Sequence, residues 1–556
     1  MGSPTPNSPS TRMVAATRGT WSPLKSRLFT ILLLTSLFTQ LAVFMNGLAS
    51  AWILTDITDS PAVVASLQIS LALPAFLLAL LAGALADVVS RKRIILFAQA
   101  SSVVVAAVFA LLSVSDAHSV VTVLGLTAAL GIFTALAAPA WIAIIPGLVP
   151  RSDLAGAMTL SSAGISAAMA VGPAVAGFVI AATGPTWVFI LNVIVFAGGL
   201  LALRAWQPEP RTGLPTEHLA AAVRIGLRYV RYDRPLKIVI AKIIPFALAG
   251  TALTALLPAV ARFQLDAGPA LFGLLSGAGG VGAVLGLIAM PSIRSRIGPD
   301  AIVFWSMLIE AAVFGVVATT TNVAVAFPVL VVAGVATLAL VSTVMTSLQV
   351  VLPAWVRGRG VAVYLLALQG SFAVGALIWG TVAEQTSLQT ALLAAGTAMA
   401  LSAVLVTPLR LGRYMDVNTE VAQLFDGPPT VTSVHDDDGP ILLTARWQID
   451  SDHREEFVAA MVQVQRALKR QGALSFHLVE DVERPGHMLE SFTMATWSEF
   501  QRLPERFTMA EKDIRDSLTA AAGSALPVLS AHRVIKLQSR RDNDSGAHTR
   551  ETIDLP

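Results

Sequence analysis

Cysteine is absent from this 556-residue sequence, and charged residues make up only 13% of it. The absence of cysteine excludes disulfide bonds and metal sites built from thiolates. Soluble domains contain about 25% charged residues, so most of this chain requires a solvent other than water. Hydrophobic residues account for 55% of the sequence, and its mean hydropathy is +0.70. The composition predicts a protein that crosses a membrane many times.

Proline, glycine and charge clusters divide residues 28–411 into twelve apolar segments. Each has about 20 residues or more, which is enough to cross a hydrocarbon core of roughly 30 Å. The first segment is too long for the core of a signal peptide, so we expect it to be retained as a helix. The segments are 28–54, 61–86, 92–114, 119–148, 153–182, 186–205, 236–261, 269–292, 299–320, 323–352, 360–383 and 388–410.

Cationic residues lie almost entirely on one side of the predicted bundle. If the spans alternate in direction, 21 Lys and Arg residues fall on the side of the N-terminus, and Arg262 alone falls in a connection on the other. Cytoplasmic loops are enriched in these residues, so we expect both termini in the cytoplasm and the helices in the plasma membrane. The longest connection, 206–235, spaces Arg224, Arg228 and Arg231 as on one helix face. That helix either lies on the membrane surface or is an ordinary amphipathic linker.

An offset of 203 residues aligns unusual positions of the two halves of the apolar region. It predicts two parallel six-helix repeats related by an axis along the membrane normal. The aligned pairs are Gly83 with Gly286, Arg91 with Arg294, Arg93 with Arg296, and Pro150 with Pro353.

The stretch "GALADVVSRKR", residues 83–93, resembles the loop signature between the second and third helices of the major facilitator superfamily. Gly83, Asp87, Arg91 and Lys92 match that signature, whereas the residues at 88 and 90 depart from it. Other stretches, among them "APAWIAIIPGLVPRSDLAGAM" and "FGLLSGAGGVGAVLG", resemble the transmembrane secretion effector branch. The resemblance implies an all-α polytopic protein with twelve transmembrane helices in two six-helix pseudo-repeats.

The loop signature is expected to act as a conformational latch. A carboxylate at Asp87 can accept hydrogen bonds from a neighbouring helix N-terminus and pair with a cation across the gap between halves. Gly83 permits close helix approach, and the following cations suit an anionic membrane surface. The simpler alternative is that Asp87 only terminates its helix.

"VGPAVAG" in the fifth segment resembles the antiporter motif of the same superfamily. Gly172, Pro173 and Gly177 match it, and Ala176 replaces a glycine. A Gly-Pro pair bends a helix and lets a neighbour pack closely. The resemblance favours export coupled to proton antiport, with import of a small metabolite as the alternative.

Ionisable residues inside predicted spans are candidates for proton or cargo contacts, because they are costly to place there. Glu310 lies in the ninth span and Lys242 in the seventh; alternatively, Glu310 is a neutral scaffold residue and Lys242 extends towards the cytoplasm. Uncharged candidates for a central cavity are Gln40, Asn46, Gln68, Trp141, Thr343, Ser347, Tyr364 and Gln369. A cavity with so few polar groups suits a small amphiphilic cargo. The resemblance to the secretion effector branch implies that this cargo is a drug or a siderophore.

From about Pro440 the pattern changes to a soluble α+β domain, and its strand and helix order resembles the ferredoxin-like domain of antibiotic-biosynthesis monooxygenases. Such a tail is either catalytic or a regulatory, self-associating domain. Its histidines are scattered without metal-ligand spacing, so we expect no metal, cofactor or enzymatic role, and nothing indicates nucleic-acid binding. The predicted organisation is a disordered arm 1–27, halves 28–205 and 236–411 joined by linker 206–235, a linker 412–439, the domain 440–538 and a disordered tail 539–556.

Overall fold

The computed structural model describes residues 21–207, 232–414, 438–522 and 530–534, with the single residues 422 and 435. The amphipathic helix predicted within 206–235, most of the predicted arm and linker, and the predicted tail lie outside these residues. The chain divides into two compact units, Met1–Thr419 and Glu420–Pro556. The end of the predicted arm is ordered as a 3-10 helix, Ser22–Lys25, in which Pro23 is buried.

Twelve helices in the described part of the first unit are long and apolar enough to span a membrane, which confirms the predicted number. They are α1 (Arg27–Ile57), α2 (Pro61–Val88), α3 (Arg91–Val114), α4 (Val120–Ile144), α5 (Leu154–Thr183), α6 (Pro185–Ala205), α7 (Arg234–Ala259), α8 (Pro269–Arg294), α9 (Pro299–Thr319), α10 (Val323–Val351), α11 (Ala354–Gln385) and α12 (Leu388–Leu405).

Local sequence sets where these helices begin. The Ser60 side chain accepts a hydrogen bond from the Val63 backbone at the start of α2, and Asp233 caps α7 through the Leu236 amide in the same way. Proline occupies the first turn of α2, α6, α8 and α9, where no intrahelical donor is lost. Gly184, with φ of +87°, makes the tight turn between α5 and α6.

The first unit is built from two halves, α1–α6 and α7–α12. Within the halves α3 packs against α6 and α9 against α12, whereas between them α2 packs against α11 and α5 against α8. We call the face where α1 begins and α12 ends the terminal face. The opposite face, where α1 ends at Ile57 and α2 begins at Pro61, is the distal face. One apolar core extends through both halves.

The second unit contains an antiparallel sheet with the strand order β2-β3-β1-β4. Buried residues alternate along β1 and β3, and the helices cover the buried side with one apolar core. The elements in chain order are β1 (Ile441–Gln448), α13 (Arg454–Gln471), β2 (Ser475–Glu480), β3 (His487–Met494), α14 (Trp497–Gln501), α15 (Met509–Ala521) and β4 (Ser530–Arg533).

Candidate functional site

The contact between α5 and α8 is built on glycines that face each other across the two halves. A Cβ atom on Gly177 would lie 2.5 Å from the Pro269 carbonyl oxygen and 2.8 Å from the Gly273 Cα. Further along α8, a Cβ on Gly280 would lie 2.3 Å from the Ala170 backbone nitrogen. No larger residue fits at these positions without separating the helices, so small residues set how closely the halves approach.

Polar contacts join the halves at the distal face. Arg262, after α7, lies 3.2 Å from an Asp56 carboxylate oxygen at the end of α1, and its guanidinium is 5.0 Å from the centre of the Trp52 ring. Both charged side chains are more than two-fifths exposed. At the α2–α11 contact, the Ser60 hydroxyl donates to Glu384 Oε2 at 2.7 Å. These contacts connect the two halves at the distal face.

The residues of the predicted antiporter motif lie at this interface. A Cβ on Gly172 would meet the Phe44 Cβ of α1 at 2.8 Å, and a Cβ on Gly273 would lie 2.6 Å from the Pro173 carbonyl oxygen. Gly172 therefore allows close packing against α1, while Pro173 and Gly177 face α8. Pro173 lies within the continuous helix α5.

Of the four residues of the predicted latch, the structure describes the side-chain contacts of Arg91 and Lys92. Gly83 and Asp87 lie in the last turns of α2, but their side-chain environment is outside the described part of the structure. Arg91 donates to the Ala143 carbonyl of α4, and the Lys92 ammonium donates to the Arg204 carbonyl at 3.1 Å. These two cations thus contact helix C-termini within the first half, where the helix dipole favours positive charge.

Lys242 lies within the second half rather than at the contact between halves. Its ammonium is 2.7 Å from Asp300 Oδ1, and its side chain is only 2% exposed. The Asp300 carboxylate also accepts hydrogen bonds from the backbone amides of Leu411 and Gly412, at 2.8 and 2.9 Å. The ion pair therefore joins α7, the start of α9 and the chain after α12.

Glu310 is buried in the middle of α9 and faces α10, where the Thr337 hydroxyl donates to its carboxylate. It is the one fully buried carboxylate among the described side chains of the twelve spans. This position is in the second half, away from the glycine contact between α5 and α8.

The uncharged candidates lie in different environments. Asn46 is buried with its amide 3.5 Å from the Ser50 hydroxyl, and Trp141 packs against an apolar cluster of the first half. Tyr364 is buried with a hydroxyl that has no hydrogen-bond partner among the described residues. Gln40, Gln68 and Gln369 are half-buried. No group of three potential metal-binding side chains occurs in the portion of the chain that the structure describes.

The sequence predictions missed the polar residues that connect the halves at the distal face. Asp56, Arg262 and Glu384 were visible only as scattered loop charges. The glycines of α8 that face α5 were easier to recognise in the sequence. Gly273 and Gly277 are four residues apart, so they lie on one helix face, as is typical of close helix contacts in membranes.

The two six-helix halves and their close contact define a transporter of the major facilitator type. The chain belongs to the transmembrane secretion effector family, whose model matches residues 18–541. This is a family of multi-pass membrane transporters rather than enzymes, as the sequence predicted.

Curated relatives of this chain are distant. The enterobactin exporter EntS of Escherichia coli O1:K1 is 28% identical over 232 residues, which are 41% of this chain and 54% of the exporter. The staphyloferrin A transporter of Staphylococcus aureus NCTC 8325 is 25% identical over 248 residues, 44% of this chain and 62% of the relative. The matched region thus spans little more than half the length of these relatives.

Solved structures share the fold. A POT family transporter aligns with a TM-score of 0.57 at 12% identity, covering 68% of this chain and 95% of that protein. The nucleoside transporter NupG aligns with a TM-score of 0.54 at 14% identity, covering 69% of this chain and 99% of NupG. Each alignment covers about two thirds of this chain. Together with the family match, the alignments confirm the predicted twelve-helix transporter fold.

Proposed function

We propose that the protein exports a small amphiphilic molecule by alternating access, with its two halves rocking about the α2–α11 and α5–α8 contacts. The glycine contact at the distal face carries this proposal. Flat glycine surfaces pack closely without interlocking side chains, so they can separate and meet again. In this proposal the terminal face is cytoplasmic, in agreement with its excess of cations.

The polar contacts at the distal face suit a reversible closure. An exposed ion pair such as Asp56 with Arg262 contributes only about 0–1 kcal/mol. The cation–π contact with Trp52 adds about 0.5–1 kcal/mol at an exposed site. Contacts of this strength bias the closed arrangement, but they leave the open one accessible at thermal energies.

The direction and cargo are proposed from the antiporter-like residues of α5 and from the relatives. The two curated relatives are named as a transporter and an exporter of siderophores. A siderophore or a drug-like amphiphile is therefore the cargo class to test first, with import of a small metabolite as the competing outcome. Proton antiport is the proposed coupling, and Glu310 is the proposed proton carrier because of its burial in the spans.

We further propose that Asp87 completes a latch at the terminal face and that the second unit is a regulatory, self-associating ferredoxin-like domain. The strand order β2-β3-β1-β4, with helices after β1 and after β3, supports that fold. Fold alone assigns no activity, and we propose none for the tail.

Transport can be tested in inverted membrane vesicles with an acidic interior. The assay adds siderophores, cationic drugs and neutral amphiphiles and records proton release from wild type, Asp87→Asn and, as a matched control, Asp116→Asn in the α3–α4 connection. We expect release for one cargo class, lost in Asp87→Asn and kept in the control. Uptake of radiolabelled cargo without proton release would reject antiport but keep export, whereas neither signal for any compound would reject the proposed function.

A further inference from the structure

A cavity of about 330 Å³ opens at the terminal face of the second half. Its lining comes from the end of α8, the α8–α9 connection, the first turn of α9 and the last turns of α10. All of the lining residues belong to the second half, and none of them is a residue named above at the contacts between the halves. The transport proposal assigns it no role.

Two arginines give this cavity its charge. Arg294 and Arg296 line it, and neither forms an ion pair with any residue that the structure describes. One terminal nitrogen of Arg294 is 3.2 Å from the hydroxyls of both Ser342 and Thr346. Those bonds fix the guanidinium and leave the hydrogens on its other two nitrogens for a ligand. The nearby Asp300 is already occupied by Lys242 and two backbone amides.

Two buried hydroxyls supply an independent observation. Thr343 and Ser347 also line the cavity, although they are only 3% and 1% exposed. Their hydroxyl oxygens have no hydrogen-bond partner within the described parts of the chain. Leaving a buried polar group unsatisfied costs about 1–3 kcal/mol, so a ligand that accepts hydrogen bonds at this place would recover that energy.

The internal repeat shows how this half differs from the other. In the first half, Arg91 donates to the Ala143 carbonyl. The offset of 203 residues aligns Arg91 with Arg294 and Ala143 with Thr346, and Arg294 donates to the Thr346 hydroxyl. The offset places Met290 where the first half has Asp87. The second half thus has the cations of the repeated loop but no carboxylate at the position that corresponds to Asp87. The positive charge of its arginines is therefore not balanced by a carboxylate of the repeated motif.

We propose that this cavity binds a phosphate group. Arginine donors match the oxygens of phosphate, and the hydroxyls of Thr343 and Ser347 can donate to the same group. The N-terminus of α9, at Gly298 and Pro299, adds a favourable dipole. Basic pockets between transmembrane helices at the cytoplasmic surface bind lipid headgroups, so the membrane is one source of the phosphate and the solution is the other.

Native mass spectrometry of the full chain in detergent tests the site. Wild type is incubated with phosphatidylglycerol or with inorganic phosphate and compared with Arg294→Gln/Arg296→Gln. The charge-matched control is Arg410→Gln/Arg413→Gln, which removes two exposed cations from the same face. Thr343→Val/Ser347→Ala provides a second variant that keeps both arginines.

We expect the Arg294→Gln/Arg296→Gln variant to bind phosphatidylglycerol at least about tenfold more weakly than wild type and the control, because two charge-assisted contacts are lost. The hydroxyl variant should bind it more weakly while melting no lower than wild type without ligand. Saturable binding of inorganic phosphate that displaces the lipid would support the site with the solution as source. Equal lipid binding by wild type and the Arg294→Gln/Arg296→Gln variant, with no phosphate binding, would overturn the proposal.

Discussion

Gly177 of α5 and Gly273 of α8 face each other so closely that a Cβ atom on either would lie 2.8 Å from the Cα of the other. Both neighbours are backbone, which cannot yield as a flexible side chain can. The approach of the two halves at the distal face therefore depends on the absence of two methyl groups. In the proposed alternating-access cycle, the two halves meet and separate at this contact.

The first prediction concerns one added methyl group at that contact. Gly273→Ala should leave the twelve helices folded but prevent distal closure, so transport should fall at least about tenfold, as expected when a small misplacement disrupts a required geometry. Cargo transport in vesicles at matched protein levels measures this effect. Gly198→Ala is the control, because a Cβ there has no neighbour within 4 Å. Normal transport by Gly273→Ala would contradict the role of the glycine contact.

The second prediction concerns the ion pair at the distal face. Arg262→Gln removes both the ion pair with Asp56 and the cation–π contact with Trp52, which together contribute at most about 2 kcal/mol. It should therefore raise the population open at the distal side by up to about thirtyfold. The measurement is the rate of thiol labelling at Thr55→Cys, a buried position in a chain without native cysteine. The exchange Asp56→Arg/Arg262→Asp restores the ion pair and should slow labelling again relative to Arg262→Gln. Labelling that stays slow in Arg262→Gln would show that the pair does not hold the closed arrangement.

The third prediction separates a structural role of Lys242 from a cargo role. Asp300→Asn leaves a buried ammonium without its counter-charge, so the free energy of unfolding should fall by roughly 2–4 kcal/mol, limited by the partial exposure of Asp300. Lys242→Met/Asp300→Asn should recover most of that loss and keep transport. Thermal unfolding in detergent and vesicle transport provide the two readouts. A stable double variant that transports nothing would instead assign Lys242 to cargo binding.

The fourth prediction tests the proposed proton carrier. Glu310→Gln keeps an oxygen that can accept the Thr337 hydrogen bond, so the melting temperature should change little. Because an amide does not exchange a proton as a carboxyl does, cargo-driven proton release should disappear. The matched control is Asp116→Asn, which alters an exposed carboxylate in the α3–α4 connection. Undiminished proton release by Glu310→Gln would remove Glu310 from the coupling mechanism.

The fifth prediction concerns the second unit, where Glu490 is fully buried and its carboxylate binds Arg515 and the Trp447 indole at 3.0 Å each. Arg515→Met should destabilise this unit by about 3–5 kcal/mol, since it leaves a buried carboxylate without its cation. Hydrogen exchange at the β1 and β3 amides in the full chain measures the change. Arg446→Met, on the exposed side of β1, should leave exchange unchanged, and equal protection in both variants would exclude a stabilising role for the pair.

The sequence determined the helix count and most helix ends for simple physical reasons. The predicted spans 61–86, 186–205 and 323–352 match α2, α6 and α10 to within two residues, because proline, glycine and charge mark the ends of apolar runs. Orientation within the bundle was harder to predict. Side chains that face lipid and side chains that face another helix are equally apolar, so periodicity does not show which face of a helix is inside.

That limit explains the outcome for individual site residues. Thr343 and Ser347, expected to face the cavity between the halves, line the cavity of about 330 Å³ in the second half. Lys242 is paired with Asp300, a contact between residues 58 positions apart that no local pattern reveals. Gly177 was identified from a motif in the sequence. Its partner Gly273 could be identified only from the structure, which shows how α5 packs on α8.

The most direct test of alternating access measures the distance across the distal face. Spin labels at Asp59→Cys and Asp266→Cys, both exposed, report the separation of the halves in a chain that has no other cysteine. Pulsed electron resonance should show a short and a long distance in the otherwise wild-type protein, and the long distance alone once Gly177→Ala is added. A single short distance in both proteins would contradict the account, because the halves would then close without the glycine contact and would not separate.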